Sequence, residues 1–101
     1  MSCTRVRHYT NRKGSTAIKE SGMIKAQDNN RFYVELANKK PLNQLEAETK
    51  YRIKEGRGRD YVETDVPTEL LEWKVNPAYH TKELTVKGDV FLKNPEIIQR
   101  K

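Results

Sequence analysis

The sequence predicts an α+β domain, a small, curved, mainly antiparallel sheet carrying two helices. Three observations predict it. Short segments rich in β-branched and aromatic residues are separated by turn residues. Two stretches carry helix start or stop signals. The elements run strand, helix, strand, helix and then several strands. At 101 residues the chain is expected to form one domain, 1–101, because domains run to roughly 100–150 residues.

Val6 to Thr10 alternates enough for a short opening strand. Thr10 or Asn11 can cap the next helix, since either side chain can accept from a free first-turn amide. Ala17 and Ile18 are expected to face the core, and Gly22 to stop the helix in a left-handed conformation. Gly14, inside the helix, lies in a frayed first turn or allows a close approach. Met23 to Ala26 is a brief extended piece and Gln27 to Asn30 a polar turn. Arg31 to Leu36 is a strand. Pro41 is expected to start the second helix, with Leu42, Leu45 and Thr49 along one face. Glu55 to Asp60 is a charged double-glycine loop, and Asp60 to Val66 a strand closed by Pro67. Thr68 caps a turn carrying Leu70, Leu71 and Trp73. Leu84–Val86 and Val90–Leu92 form a hairpin or one bulged strand. The tail from Pro95 carries Ile97 and Ile98.

Composition narrows the function classes. No apolar run approaches the roughly 20 residues of a membrane span, and no secretory leader pattern is expected. One cysteine, Cys3, excludes a disulfide scaffold and a cysteine-based zinc site. Two distant histidines match no metal-ligand spacing, so no metal is expected. The net charge of +6 favours polyanionic partners, and it is uneven. Residues 1–19 hold five cations and no acid, and residues 50–59 hold five cations against Glu55 alone. Arg7, Arg12, Lys54, Arg57 and Arg59 are therefore candidate phosphate contacts.

His8 stands at a strand end and a helix mouth, where free amides suit an anion and a histidine suits acid–base chemistry. His80 is the second histidine, in a polar loop. Glu63 and Asp65 share one strand face, as a carboxylate pair or as a solvated edge. Gly56-Arg57-Gly58-Arg59 can approach and grip phosphate, or can be an exposed loop tip. The tyrosines and Trp73 can stack on bases or fill the core.

His8-Tyr9-Thr10-Asn11, Gly14, Ile18 and Ser21-Gly22-Met23-Ile24 form a block of the type HYT(N/D)xxGxxxIxxSGxI. This block resembles the opening of C-terminal toxin domains of bacterial polymorphic and contact-dependent growth inhibition toxins. Tyr61-Val62-Glu63, Asp65-Val66-Pro67 and the late Leu84-Thr85-Val86-Lys87-Gly88-Asp89 are similar to their distal parts. The resemblance implies a cytotoxic domain of a secreted or cell-surface effector that acts in the target-cell cytoplasm. It also implies a cognate immunity protein, expected to be acidic, and leaves room for a translation-factor partner.

Two reactions occur among such toxins. One is metal-independent ribonuclease cleavage of tRNA through the ribose 2′-OH, which needs no cofactor. It implies His8 as base or acid, Thr10 orienting it or holding phosphate, and His80 or Tyr61 as second proton shuttle. The basic excess favours this reading. The other is NAD-dependent ADP-ribosyl transfer, which implies His8, Tyr33 and Glu63, with Asn11 standing where the signature has aspartate. A non-catalytic RNA-binding module is a third expectation.

Overall fold

The computed structural model describes residues 2–27 and 30–100. The first strand, β1 (Cys3–Thr10), is followed by helix α1 (Arg12–Ser21) and a short strand β2 (Met23–Ile24). Then come β3 (Arg31–Leu36), α2 (Gln44–Tyr51), β4 (Asp60–Pro67), β5 (Leu71–Val75), β6 (Lys82–Lys87), β7 (Val90–Phe91) and β8 (Glu96–Ile98). Six strands form one curved, open sheet in the order β5-β6-β3-β1-β4-β8, and β2 pairs with β7. Every pairing is antiparallel. The expected α+β architecture, with a small antiparallel sheet and two helices, is the one found.

Strand alternation divides the sheet into two chemically different faces. Val6, Phe32, Val34, Val62, Val66, Leu84 and Val86 pack on one face beneath Ile18 of α1, Ile24 of β2 and Val90 of β7. The opposite face is polar, and the segment carrying α2 covers it. There Arg7, Glu35 and Glu63 form a buried charge cluster.

Local signals set α1. The Asn11 side chain accepts from the Gly14 amide at 2.7 Å, and Gly22 closes the helix at φ 73°. Ser15 and Ile18 are its buried residues; Ala17, expected in the core, is exposed. The first turn is capped, not frayed. A Cβ on Gly14 would lie 2.0 Å from the Thr10 hydroxyl, so this glycine serves a close approach.

Other elements depart from the expectation. Helix α2 starts after Pro41, at a capping box in which Asn43 and Glu46 bond each other's backbone amides. This satisfies two free first-turn donors, which proline cannot do. Ala47 is buried, whereas Leu45 is 75% exposed. Leu71 to Val75 is an edge strand on β6, not a turn. Trp73 lies on it and is exposed. Lys82–Lys87 and Val90–Phe91 are neither a hairpin nor one strand, because β7 leaves the main sheet to pair with β2. Of the expected Gln27–Asn30 turn, Asp28 and Asn29 lie outside the described residues.

The end of the chain is stitched to the double-glycine loop. Buried Asp60 accepts from Arg12 Nε at 2.8 Å, Ser15 Oγ at 2.7 Å and the Arg100 amide at 2.9 Å. The Arg100 guanidinium donates to the carbonyls of Arg59, Leu42 and Gly58 at 2.6, 2.7 and 2.7 Å. Glu48 accepts the amides of Gly56 and Gly58. A Cβ on Gly58 would lie 2.8 Å from the Gln44 carbonyl oxygen. Gly58→Ala is therefore expected to destabilise by about 1–3 kcal/mol, as overpacking does. A urea unfolding midpoint equal to the parent's would refute that.

Candidate active site

The ladder between β1 and β3 registers Val6 with Leu36 and Arg7 with Glu35. Past Arg7 no further pair forms, and an open cleft of about 420 Å3 lies there. Its walls include His8, Tyr9, Thr10, Tyr33, Tyr51 and Arg57. His8, Thr10 and Gln27 also line an adjoining depression of about 460 Å3 along α1.

His8 is half-buried, with its ring edge-on to Phe32 at 5.5 Å. Its Nδ1 lies 2.8 Å from the Tyr33 carbonyl oxygen. A carbonyl only accepts, so Nδ1 carries the proton, and Nε2 of the neutral ring is the acceptor. Burial pulls the imidazole below its ordinary pKa, and the bond to Tyr33 offsets this in part. His8 is thus held neutral, with an acceptor that suits a hydroxyl better than a phosphate.

Behind the tyrosines of the cleft lies Glu35. Its carboxylate accepts from Tyr9 Oη at 2.8 Å, from Tyr51 Oη and from Arg7. Burial pushes the carboxyl up, but the bonds from Tyr51, Arg7 and Tyr9 outweigh it, and Glu35 ends below the usual carboxylate range. Tyr9, chiefly through burial, is pushed up to about 12, and Tyr51 is raised further for the same reason and by Glu35. Both phenols keep their protons and stay directed at Glu35. Sequence reasoning missed Glu35. Its signal was a lone acid among the apolar and aromatic residues of Arg31–Leu36, which requires a cationic partner once buried.

The other expected residues fall in several places. Thr10, Tyr33 and Arg57 line the cleft with His8. Arg7 lines it too, yet its side chain is only 2% exposed and is committed to Glu35, Glu63 and the Lys39 carbonyl. It is a structural cation and not a free phosphate contact. Glu63 faces away from His8, because Val62 is opposite His8 and Glu63 is opposite Arg7. It pairs with Arg7 at 2.8 Å, so the expected grouping of Glu63 with His8 does not form. Asp65 shares its face and pairs with Arg5 at 3.2 Å.

His80 is exposed in the loop between β5 and β6, and Tyr61 lies between the Arg7 and Arg100 guanidiniums. Neither lines the cleft, so the expected proton shuttle between His8 and either residue is not assembled. Arg12 is held by Asp60, and Arg59 donates to the Arg100 carbonyl. Lys54 is exposed and does not itself line the cleft. Among the described residues, no carboxylate lines the cleft, and no group of three His, Cys, Asp or Glu side chains comes together. No helix among them is long and apolar enough to cross a membrane.

The family model that matches this chain identifies a polymorphic toxin domain of an enzymatic kind. The chain belongs to the family described as HYD1 signature containing ADP-ribosyltransferase, whose model matches residues 6–94. That match takes in every residue named at the cleft. No curated relative and no solved structure matches the chain.

Proposed function

We propose that this toxin domain is an ADP-ribosyltransferase that takes NAD as donor in the cleft between β1 and β3. The observation that carries the reading is His8, whose Nδ1 is committed to the Tyr33 carbonyl so that Nε2 is left as an acceptor, at a cleft that Tyr33 and Tyr51 also line. Such a nitrogen accepts from a ribose hydroxyl. Tyr33 and Tyr51 offer faces for a nicotinamide ring, and Arg57 a cation for the pyrophosphate. The cleft lies within the roughly 300–1,000 Å3 of small-molecule sites, and the depression along α1 extends it for a dinucleotide.

In the transfer, the bond between ribose C1′ and the nicotinamide nitrogen breaks. Nicotinamide leaves with the bonding pair, and a nucleophile of the acceptor bonds to C1′. His8 orients the ribose. Glu35 is a positioning residue that acts through the hydroxyls of Tyr9 and Tyr51. The ribonuclease expectation draws no support from the family, and His8 stands without its second proton shuttle. A secreted effector carrying this domain would require a cognate immunity protein in the producing cell.

The test incubates the domain with NAD labelled on its adenylate half and with bacterial lysate. Nicotinamide release and label in protein or RNA are the expected results. RNA cleavage without NAD, and no label anywhere, would overturn the proposal.

A further inference from the structure

On the far side of Tyr33 and Tyr51 lies a second groove of about 580 Å3. Tyr33, Val34, Tyr51 and Ile53 wall both cavities. Around this groove stand aromatic rings that the core does not use. Trp73, Tyr79 and Tyr33 are 59%, 54% and 53% exposed. Three large rings left in water around one concavity mark a binding surface.

The same groove is lined by Lys39, Lys50, Arg52 and Lys82, against the carboxylates of Glu35 and Glu83. Glu35 is already committed to Arg7, two phenols and Lys39. The Arg52 guanidinium sits 3.9 Å from the centre of the Tyr79 ring, so a cation and a stacking face are presented together. Arg52 is the left-handed C-cap of α2, at φ 53°, and its amide donates to the Glu48 carbonyl. Contact with Lys39 is the main cause holding the Lys50 ammonium below the usual lysine range. Glu35 lies against Lys39 at 3.7 Å, and an anion bound at Lys50 would relieve the remaining crowding of like charge.

We propose that this groove binds single-stranded RNA, with bases on Trp73 and Tyr79 and backbone phosphates on Lys50, Arg52 and Lys82. Every base has a face that stacks on an aromatic side chain. An acidic protein would match the cations but would leave the rings without flat partners. The Glu83 carboxylate and the Asn38 amide in the same groove offer acceptors for a 2′-hydroxyl, which DNA lacks. Binding does not depend on the transfer reaction. That the bound RNA is the acceptor rests on the transferase reading, since the shared wall sets it beside the donor cleft.

The test measures fluorescence anisotropy of a labelled uridine dodecamer over a salt series, without NAD. Trp73→Ala is expected to weaken binding roughly 5- to 150-fold, the range for losing one stacked base. Trp73 is exposed, so its melting curve should match the parent's. Lys50→Gln with Arg52→Gln and Lys82→Gln is expected to flatten the salt slope by about 2, at about 0.7 for each phosphate. Lys13→Gln with Lys19→Gln, on α1, should leave affinity within about twofold.

The proposal is overturned if the parent does not bind or if Trp73→Ala binds equally well. It is also overturned if the α1 pair loses as much as the groove variant, or if the deoxy oligomer binds as tightly. Nicotinamide release is read in parallel. RNA binding without NAD cleavage would sink the transferase reading and still support the groove.

Discussion

Arg7→Met is expected to lower stability by about 3–5 kcal/mol, the loss that follows when one partner of a buried ion pair is removed. Total stability of a domain is about 5–15 kcal/mol, so this variant stands near unfolding at 37 °C. Arg7 is buried between Glu35 and Glu63. Without the guanidinium, two carboxylates share one site with little water. The pH dependence should then reverse. In the parent, Glu35 is held below its ordinary 4.5. Its contribution is full above 4.5 and is lost as pH falls through the lowered value. In Arg7→Met, burial and the neighbouring carboxylate raise the Glu35 carboxyl, so stability is lost as pH rises above 4.5. Urea unfolding at pH 4.5 and pH 7 would read both effects. An unchanged midpoint would mean that Arg7 is not the cation that holds this face together.

His8→Ala is expected to reduce NAD cleavage on the order of 10²–10³-fold, as loss of one preorganised hydrogen-bonding group at a reacting centre does. The fold should lose only about 1 kcal/mol, because the side chain makes one hydrogen bond and one aromatic contact. The parent's pH profile adds a signature. A histidine held below 6.5 stays neutral as pH falls through 6.5, so activity should persist there and fall only lower. The stabilising contribution of the neutral ring is full above 6.5 and is lost as pH drops through the lowered value. Nicotinamide release by His8→Ala at the parent's rate would remove His8 from the reaction.

Where local chemistry decides the structure, the sequence is readable. Asn11 and Gly22 bound α1 because an amide acceptor and a left-handed glycine act within one turn. Arg31–Leu36 and the strand from Asp60 are readable because β-branched and aromatic residues alternate there. The readings fail where a distant partner decides. Residues 71–75 look like a turn because an edge strand buries little, and its pairing with β6 is what makes it a strand. Val90 and Phe91 leave the β6 direction because β2 offers an unpaired edge.

The candidate site divides along the same line. His8 and Thr10 are visible because a strand end meets a helix cap. The expected partners Glu63, His80 and Tyr61 required a register that the sequence alone does not fix. One residue of parity on β4 decides whether Val62 or Glu63 is opposite His8. Glu35 went unnoticed for the complementary reason, since its meaning depends on Arg7 lying opposite it on β1.

The stitch between Asp60 and Arg100 has a consequence in time. The two partners are 40 positions apart, and a chain made from its N-terminus presents Asp60 long before Arg100. Until residue 100 has emerged, the Asp60 carboxylate lacks one of its donors. The carbonyls of Leu42, Gly58 and Arg59 lack the guanidinium that gathers them. Domains close as units during synthesis, and before Arg100 is present the loop that carries Arg57 is held by Glu48 alone through the Gly56 and Gly58 amides. In any length of chain that lacks Arg100, the wall of the cleft that carries Arg57 is therefore short of these bonds.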